Sequence, residues 1–209
     1  MVRFRNAHIH GLNLGCSALI WASVWSLSLV GCQEQVSEDP AEIPLRLLDL
    51  NGQEIDPFLD HGFEATVFLF TRSDCPISNR YAPEVRRLCE QFGPRGIRFF
   101  LVCVDPDEDP ELIRQHLREY DYPCEALRDP QHRLVELTGA QRTPEAAVFT
   151  DQRKMVYRGR INDLYVDFGK ARQAPSTHDL AEALEAVLAG QPVALRITEA
   201  VGCYISDLR

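Results

Sequence analysis

The chain has 209 residues, 45% hydrophobic and 25% charged, with a formal net charge of -9. That composition suits one well-buried core and excludes disorder, collagen and coiled coil. The acidic balance leaves no basic footprint for a phosphate backbone, so no nucleic-acid partner is expected.

Residues 1–31 carry two arginines and no acid, and their apolar run is densest over residues 18–30, which reads as an export signal. The run ends in Leu29-Val30-Gly31-Cys32, which resembles the bacterial lipoprotein cleavage box and implies lipidation at Cys32. The competing readings are an uncleaved membrane anchor, or an ordinary signal peptide with an incidental cysteine. All three place the rest of the chain in the cell envelope, outside the cytoplasm, where disulfides persist. The expected division is signal 1–31, lipid-anchored tether 32–42, folded domain 43–190, and a C-terminal tail 191–209 carrying Cys203.

Residues 45–50 and 53–55 flank Asn51-Gly52 and predict a hairpin. Residues 64–71 (EATVFLFT) form a continuous apolar β-forming run, as in a strand covered on both faces. Tyr81, Val85, Leu88, Cys89 and Phe92 then recur at helical spacing up to Gly93-Pro94. A second buried strand over 97–104 and a second helix over 110–120 complete a right-handed βαβ unit. A short strand at 124–127 and a helical turn at 133–138 follow. A hairpin over 146–159 and a last helix over 179–189 close the domain. The expected fold class is α/β, a mixed central β-sheet flanked by helices. Residues 169–172 read as a loop leading to that last helix, with Thr177 or His178 near its cap. The acids of 105–109 read as a loop favouring the helix that follows.

Cys75 lies just past a buried strand and just before a helix, where unpaired N–H groups and the positive helix end favour thiolate, the nucleophilic form. Arg72 and Arg80 would reinforce this effect and Asp74 would oppose it. Here the chain resembles the thioredoxin-like redoxins, in the exported branch related to alkyl hydroperoxide reductase and thiol-specific antioxidant proteins. The resemblance rests on the 67–71 strand running into Cys75-Pro76, on Pro83 within the helix, and on Thr143-Pro144 before a strand. It implies a cis Pro144 beside the sulfur, with a backbone edge at Thr143 for an extended substrate. Ser78 stands where a thioredoxin carries its second cysteine, so a local disulfide is excluded. Phe68 and Thr71 depart from the peroxiredoxin spacing.

Cys75, Cys89, Cys103, Cys124 and Cys203 remain once Cys16 and Cys32 are set aside, an odd set. Cys89 and Cys103 read as core filling and Cys124 as structural. Cys203 is the candidate resolving cysteine, because the 14 residues from Gly190 to Cys203 reach about 45 Å when extended. Pairing of Cys75 with Cys124 stays open. The returning strand brings Arg160 and Asp163 to the same end, where Arg160 would stabilise the thiolate or bind an acidic group of a partner. No cofactor and no metal site is expected. The leading function is disulfide exchange with a thiol- or disulfide-containing protein, in which Cys75 attacks, Pro144 supports docking and Cys203 resolves. The alternatives are a thiol peroxidase acting on peroxide, and a non-catalytic or copper-binding module using the soft sulfurs of Cys75 and Cys203.

Overall fold

The computed structural model describes residues 45–59 and 62–205. The signal, Cys32, the tether and residues 206–209 lie outside the described residues. Strands β1 (Leu47–Leu48) and β2 (Glu54–Ile55) form the predicted hairpin. Its turn is held by Asp49, whose carboxylate accepts from the Asn51 and Gln53 amides at 2.8 Å. Gly52 supplies the positive φ of 80° that this turn requires.

The apolar runs become β3 (Ala65–Thr71) and β4 (Ile97–Cys103), parallel and in register from Ala65↔Ile97 to Thr71↔Cys103. Helix α1 (Pro76–Phe92) makes the crossover, and α2 (Pro110–Glu119) leads to β5 (Glu125–Arg128), parallel to β4. Asp109 caps α2 by accepting from the Glu111 amide at 2.8 Å, so the acidic loop does serve that helix. After α3 (Arg133–Thr138) come β6 (Arg142–Thr143), β7 (Glu145–Thr150) and β8 (Met155–Gly159). The mixed seven-stranded sheet has the order β2-β1-β5-β4-β3-β7-β8.

Because side chains alternate along a strand, β3 feeds two cores. Val67 and Leu69 pack with Val85 and Leu88 of α1 and with Leu180 and Leu184 of α4 (Asp179–Leu188). Phe68 and Phe70 pack on the opposite face with Phe100, Phe149 and Leu134 of α3. Phe68 stacks on Phe100 with ring centroids 5.8 Å apart. Truncating a ring so enclosed costs about 3–5 kcal/mol, the loss expected of Phe68→Ala.

The structure departs from expectation where strands are shortest. Residues 165–171 are not a plain loop: β9 (Tyr165–Asp167) and β10 (Lys170–Ala171) pair antiparallel around Gly169. The tail also contributes a strand, β11 (Cys203–Tyr204), antiparallel to β6.

Candidate active site

Strand β3 delivers the chain to Cys75, which is the N-cap of α1, with φ -81° and ψ 108°. Its Sγ occupies the place of a capping oxygen and accepts from the Ser78 amide at 3.5 Å. Pro76 follows at the helix start, where a missing N–H costs nothing. Asn79 ties the preceding loop to the first helical turn, donating through Nδ2 to the Ser73 carbonyl at 2.9 Å. The Asn79 Oδ1 accepts from His116 Nε2 of α2 at 2.8 Å. These contacts and the two cores fix the sulfur, and Cys75 is 0% exposed.

The Thr143–Pro144 bond is cis. It turns the Thr143 carbonyl to within 3.1 Å of Cys75 Sγ, where it accepts from the thiol. The outer side of this segment, the edge expected to stand open, is filled by the chain itself. Cys203 pairs with Thr143 and Tyr204 with Arg142. This register brings Cys203 Sγ to 2.9 Å from Cys75 Sγ, both as free thiols. Cys75 is sealed, whereas Cys203 is half-buried.

The tail is seated along its length. The Arg158 amide donates to the Arg196 carbonyl at 2.8 Å, and the Thr198 amide returns to the Arg158 carbonyl at 3.1 Å. Thr198 Oγ1 also meets the Tyr157 hydroxyl at 2.7 Å, and the Ile205 amide reaches the Gln141 carbonyl at 3.0 Å. At Gly202 a Cβ would collide with the Thr143 carbonyl, so only glycine permits this approach.

The two thiols differ in acidity. Burial alone would raise the Cys75 pKa, but hydrogen bonds from Cys203, from the Ser78 hydroxyl and amide, and from Thr143 outweigh it and leave Cys75 below an ordinary thiol. The Ser78 and Thr143 hydroxyls are buried without a nitrogen or oxygen partner, which leaves both available to a thiolate. Burial, followed by donation to Cys75 and by its charge, pushes Cys203 up to about 12. Loss of a proton is thus easier at Cys75 than at Cys203.

The flanking charges act differently from the sequence expectation. Arg72 and Asp74 pair with each other at 2.8 Å, so each offsets the other near the sulfur, and Arg80 is exposed. Arg160 grips Asp179 with two bonds of 2.9 and 3.0 Å, while Asp163 holds Arg172, Ser176 and Thr177. A cavity of about 860 Å³ opens beside Cys203, lined by Arg72, Arg142, Arg160, Tyr165 and Phe168 among others. Among the described residues no group of three or more His, Cys, Asp or Glu side chains forms a cation site. Sequence reasoning missed Asn79, His116, Thr198 and Gly202. Of these only Gly202, directly before an unexplained cysteine, carried a visible signal.

A parallel βαβ unit, a cysteine capping its helix and a cis proline beside that sulfur define a thioredoxin-like redoxin. A model of the AhpC/TSA family matches residues 44–159, more than half of the sequence, and the chain belongs to that family. The match contains Cys75 and Pro144 and stops short of Cys203. An uncharacterized conserved protein from Geobacillus kaustophilus is similar at 26% identity and TM-score 0.67, covering 78% of this chain and 88% of its own. A hypothetical protein from Sinorhizobium meliloti 1021 gives 22% identity and TM-score 0.66, over 77% and 89%. A thioredoxin-like protein from Aeropyrum pernix shares the fold at 17% identity and TM-score 0.51, over 70% and 89%. No curated protein matches the sequence.

Proposed function

We propose that the protein is a thiol-disulfide oxidoreductase of the cell envelope, lipid-anchored through Cys32, that cycles between a Cys75/Cys203 dithiol and the corresponding disulfide. The observation that carries this reading is the 2.9 Å approach of a thiolate-favoured sulfur to a proton-bearing one. In the oxidising half-cycle, Cys75 thiolate attacks a partner disulfide RS–SR′. A Cys75–SR bond forms and R′S⁻ leaves, taking up a proton from water; when the tail returns, Cys203 releases its own proton to water. Cys203 thiolate then attacks the Cys75 sulfur, RS⁻ leaves, and the internal disulfide remains; the partner has gained two electrons.

Cys75 is sealed while β11 is in place. An extended protein partner therefore takes the Thr143–Pro144 edge only after the tail lifts, and the return of the tail is the resolving step. In the reducing half-cycle the accessible sulfur is Cys203. A donor thiolate attacks it and expels Cys75, whose stabilised thiolate is the better leaving group. A second donor thiolate then cleaves the mixed disulfide at the donor sulfur, which frees Cys203 and releases the oxidised donor. Arg142, on the same cavity wall, would meet an acidic group of the partner, since Arg160 is committed to Asp179.

The test is an insulin-reduction assay run beside a peroxide-consumption assay. Cys75→Ser is expected to abolish exchange, and Cys203→Ser to accumulate mixed disulfides on Cys75. Full activity in Cys75→Ser overturns the reading. Peroxide consumption without exchange replaces it with a peroxidase, and bound copper with neither activity replaces it with a copper module.

A further inference from the structure

Cys89 and Cys124 take no part in the site above. Cys89 lies in the last turns of α1, and Cys124 ends the 120–124 loop that enters β5. Read from sequence, Cys89 fills core; in the structure both residues are half-buried, and their thiols are hydrogen-bonded to each other.

Backbone and side-chain contacts enforce this approach. Arg86, three residues before Cys89 and so on the same helix face, donates to the Tyr120 carbonyl at 3.1 Å and to the Asp121 carbonyl at 3.3 Å. The Tyr122 hydroxyl reaches the Ser78 carbonyl at 3.5 Å. Tyr122, Cys89 and Cys124 all pack against the core cluster that contains Val85 and Leu88. Residues 120–122 are thereby held against α1, and the Cys124 thiol, two residues on, meets that of Cys89. Cys103 is only 2% exposed, which leaves it closed to reagents and makes it the odd cysteine of the five.

We infer that Cys89 and Cys124 form a second disulfide, independent of Cys75 and Cys203, that joins α1 to the start of β5 when the protein meets a small disulfide such as glutathione disulfide. Cys124 is the first nucleophile, because the hydrogen bond from Cys89 favours its thiolate and pushes the Cys89 thiol up. Its attack forms a Cys124–glutathione bond and releases one glutathione thiolate, which takes the Cys89 proton. Cys89 thiolate then attacks the Cys124 sulfur and expels the second glutathione. The balance is one small disulfide reduced to two thiols and one protein disulfide formed. The bridge closes a loop of about 35 residues and restricts the unfolded chain accordingly.

The test uses the reduced full chain, incubated with glutathione disulfide, quenched with N-ethylmaleimide and digested with trypsin. The expected product links the peptide of residues 88–95 to that of residues 119–128, in the wild type and equally in Cys75→Ser/Cys203→Ser. In that double variant oxidation should raise Tm by about 5 °C or more, and adding Cys89→Ser should remove the rise. Alkylation of both cysteines after complete oxidation overturns the inference, as does recovery of Cys124 joined to Cys75. Either result leaves the Cys75–Cys203 cycle to its own assay.

Discussion

Cys75 and Cys203 share one contact but stand on foundations of opposite kind. Cys75 follows a seven-residue strand that is buried throughout and caps a 17-residue helix, so its position is set by both cores. Cys203 stands on a two-residue strand paired with another two-residue strand, and among the described tail residues Ala200 and Ile205 are the buried apolar ones, with Val193 and Cys203 partly buried. Local opening free energy follows buried contact, so in the proposed cycle the tail is the element that leaves and Cys75 the element that waits. The proposed cycle divides the chemistry accordingly: the sealed sulfur is the more acidic thiol and the open one the less acidic.

The most severe way to break this arrangement is Gly202→Ala. The added carbon meets the Thr143 backbone, which cannot rotate away, so β11 must leave β6. Formation of the Cys75–Cys203 disulfide should slow by ~100-fold or more, equivalent to about 2.7 kcal/mol of lost seating. Cys75 should become open to alkylation, while Tm falls by less than about 3 °C because the seven-stranded sheet does not use Gly202. An unchanged disulfide yield would show that the glycine does not govern the seat.

Removing either sulfur tests the difference in acidity. In Cys75→Ala the Cys203 pKa should fall from about 12 towards the ordinary thiol range, since its hydrogen-bonded and charged neighbour is gone while its own burial persists. In Cys203→Ala the Cys75 pKa should rise, because burial then acts against fewer donors. A thiolate appears as pH climbs through its pKa, so the Cys75 profile of Cys203→Ala lies at higher pH than that of the wild type. Ultraviolet thiolate absorbance against pH reads both profiles, and shifts in the same direction would refute that difference.

The buried half of this arrangement was legible in the sequence and the tail only in part. Residues 64–71 and 97–104 announce themselves because strands covered on both faces must be apolar throughout, and the first helix because its apolar residues repeat at its turn. Cys75 is found from its place between such elements, and Pro144 from the resemblance to the redoxins. Strands β6 and β11 have two residues each, too few for any period, and exist only through their mutual pairing. The Arg160–Asp179 pair and the cancellation of Arg72 by Asp74 likewise depend on side-chain directions that spacing does not record. Helical periodicity placed Cys89 on the apolar side of α1 but could not show that the edge of that side faces Cys124.

The gentlest test concerns the outer face of the seat. The Arg142 guanidinium lies 3.3 Å from the Tyr204 ring centroid, and Tyr204 is 49% exposed. A cation over an exposed ring contributes about 0.5–1 kcal/mol, so Arg142→Ala should slow Cys75–Cys203 disulfide formation by only about 2- to 5-fold, without a change in Tm. Arg142→Lys keeps the charge but loses the flat stacking, and it should recover part of the rate. If the alanine variant instead matched the loss expected of Gly202→Ala, the tail would be held chiefly by surface side chains. The backbone bonds from residues 196–205 would then be a consequence of its seating and not the cause.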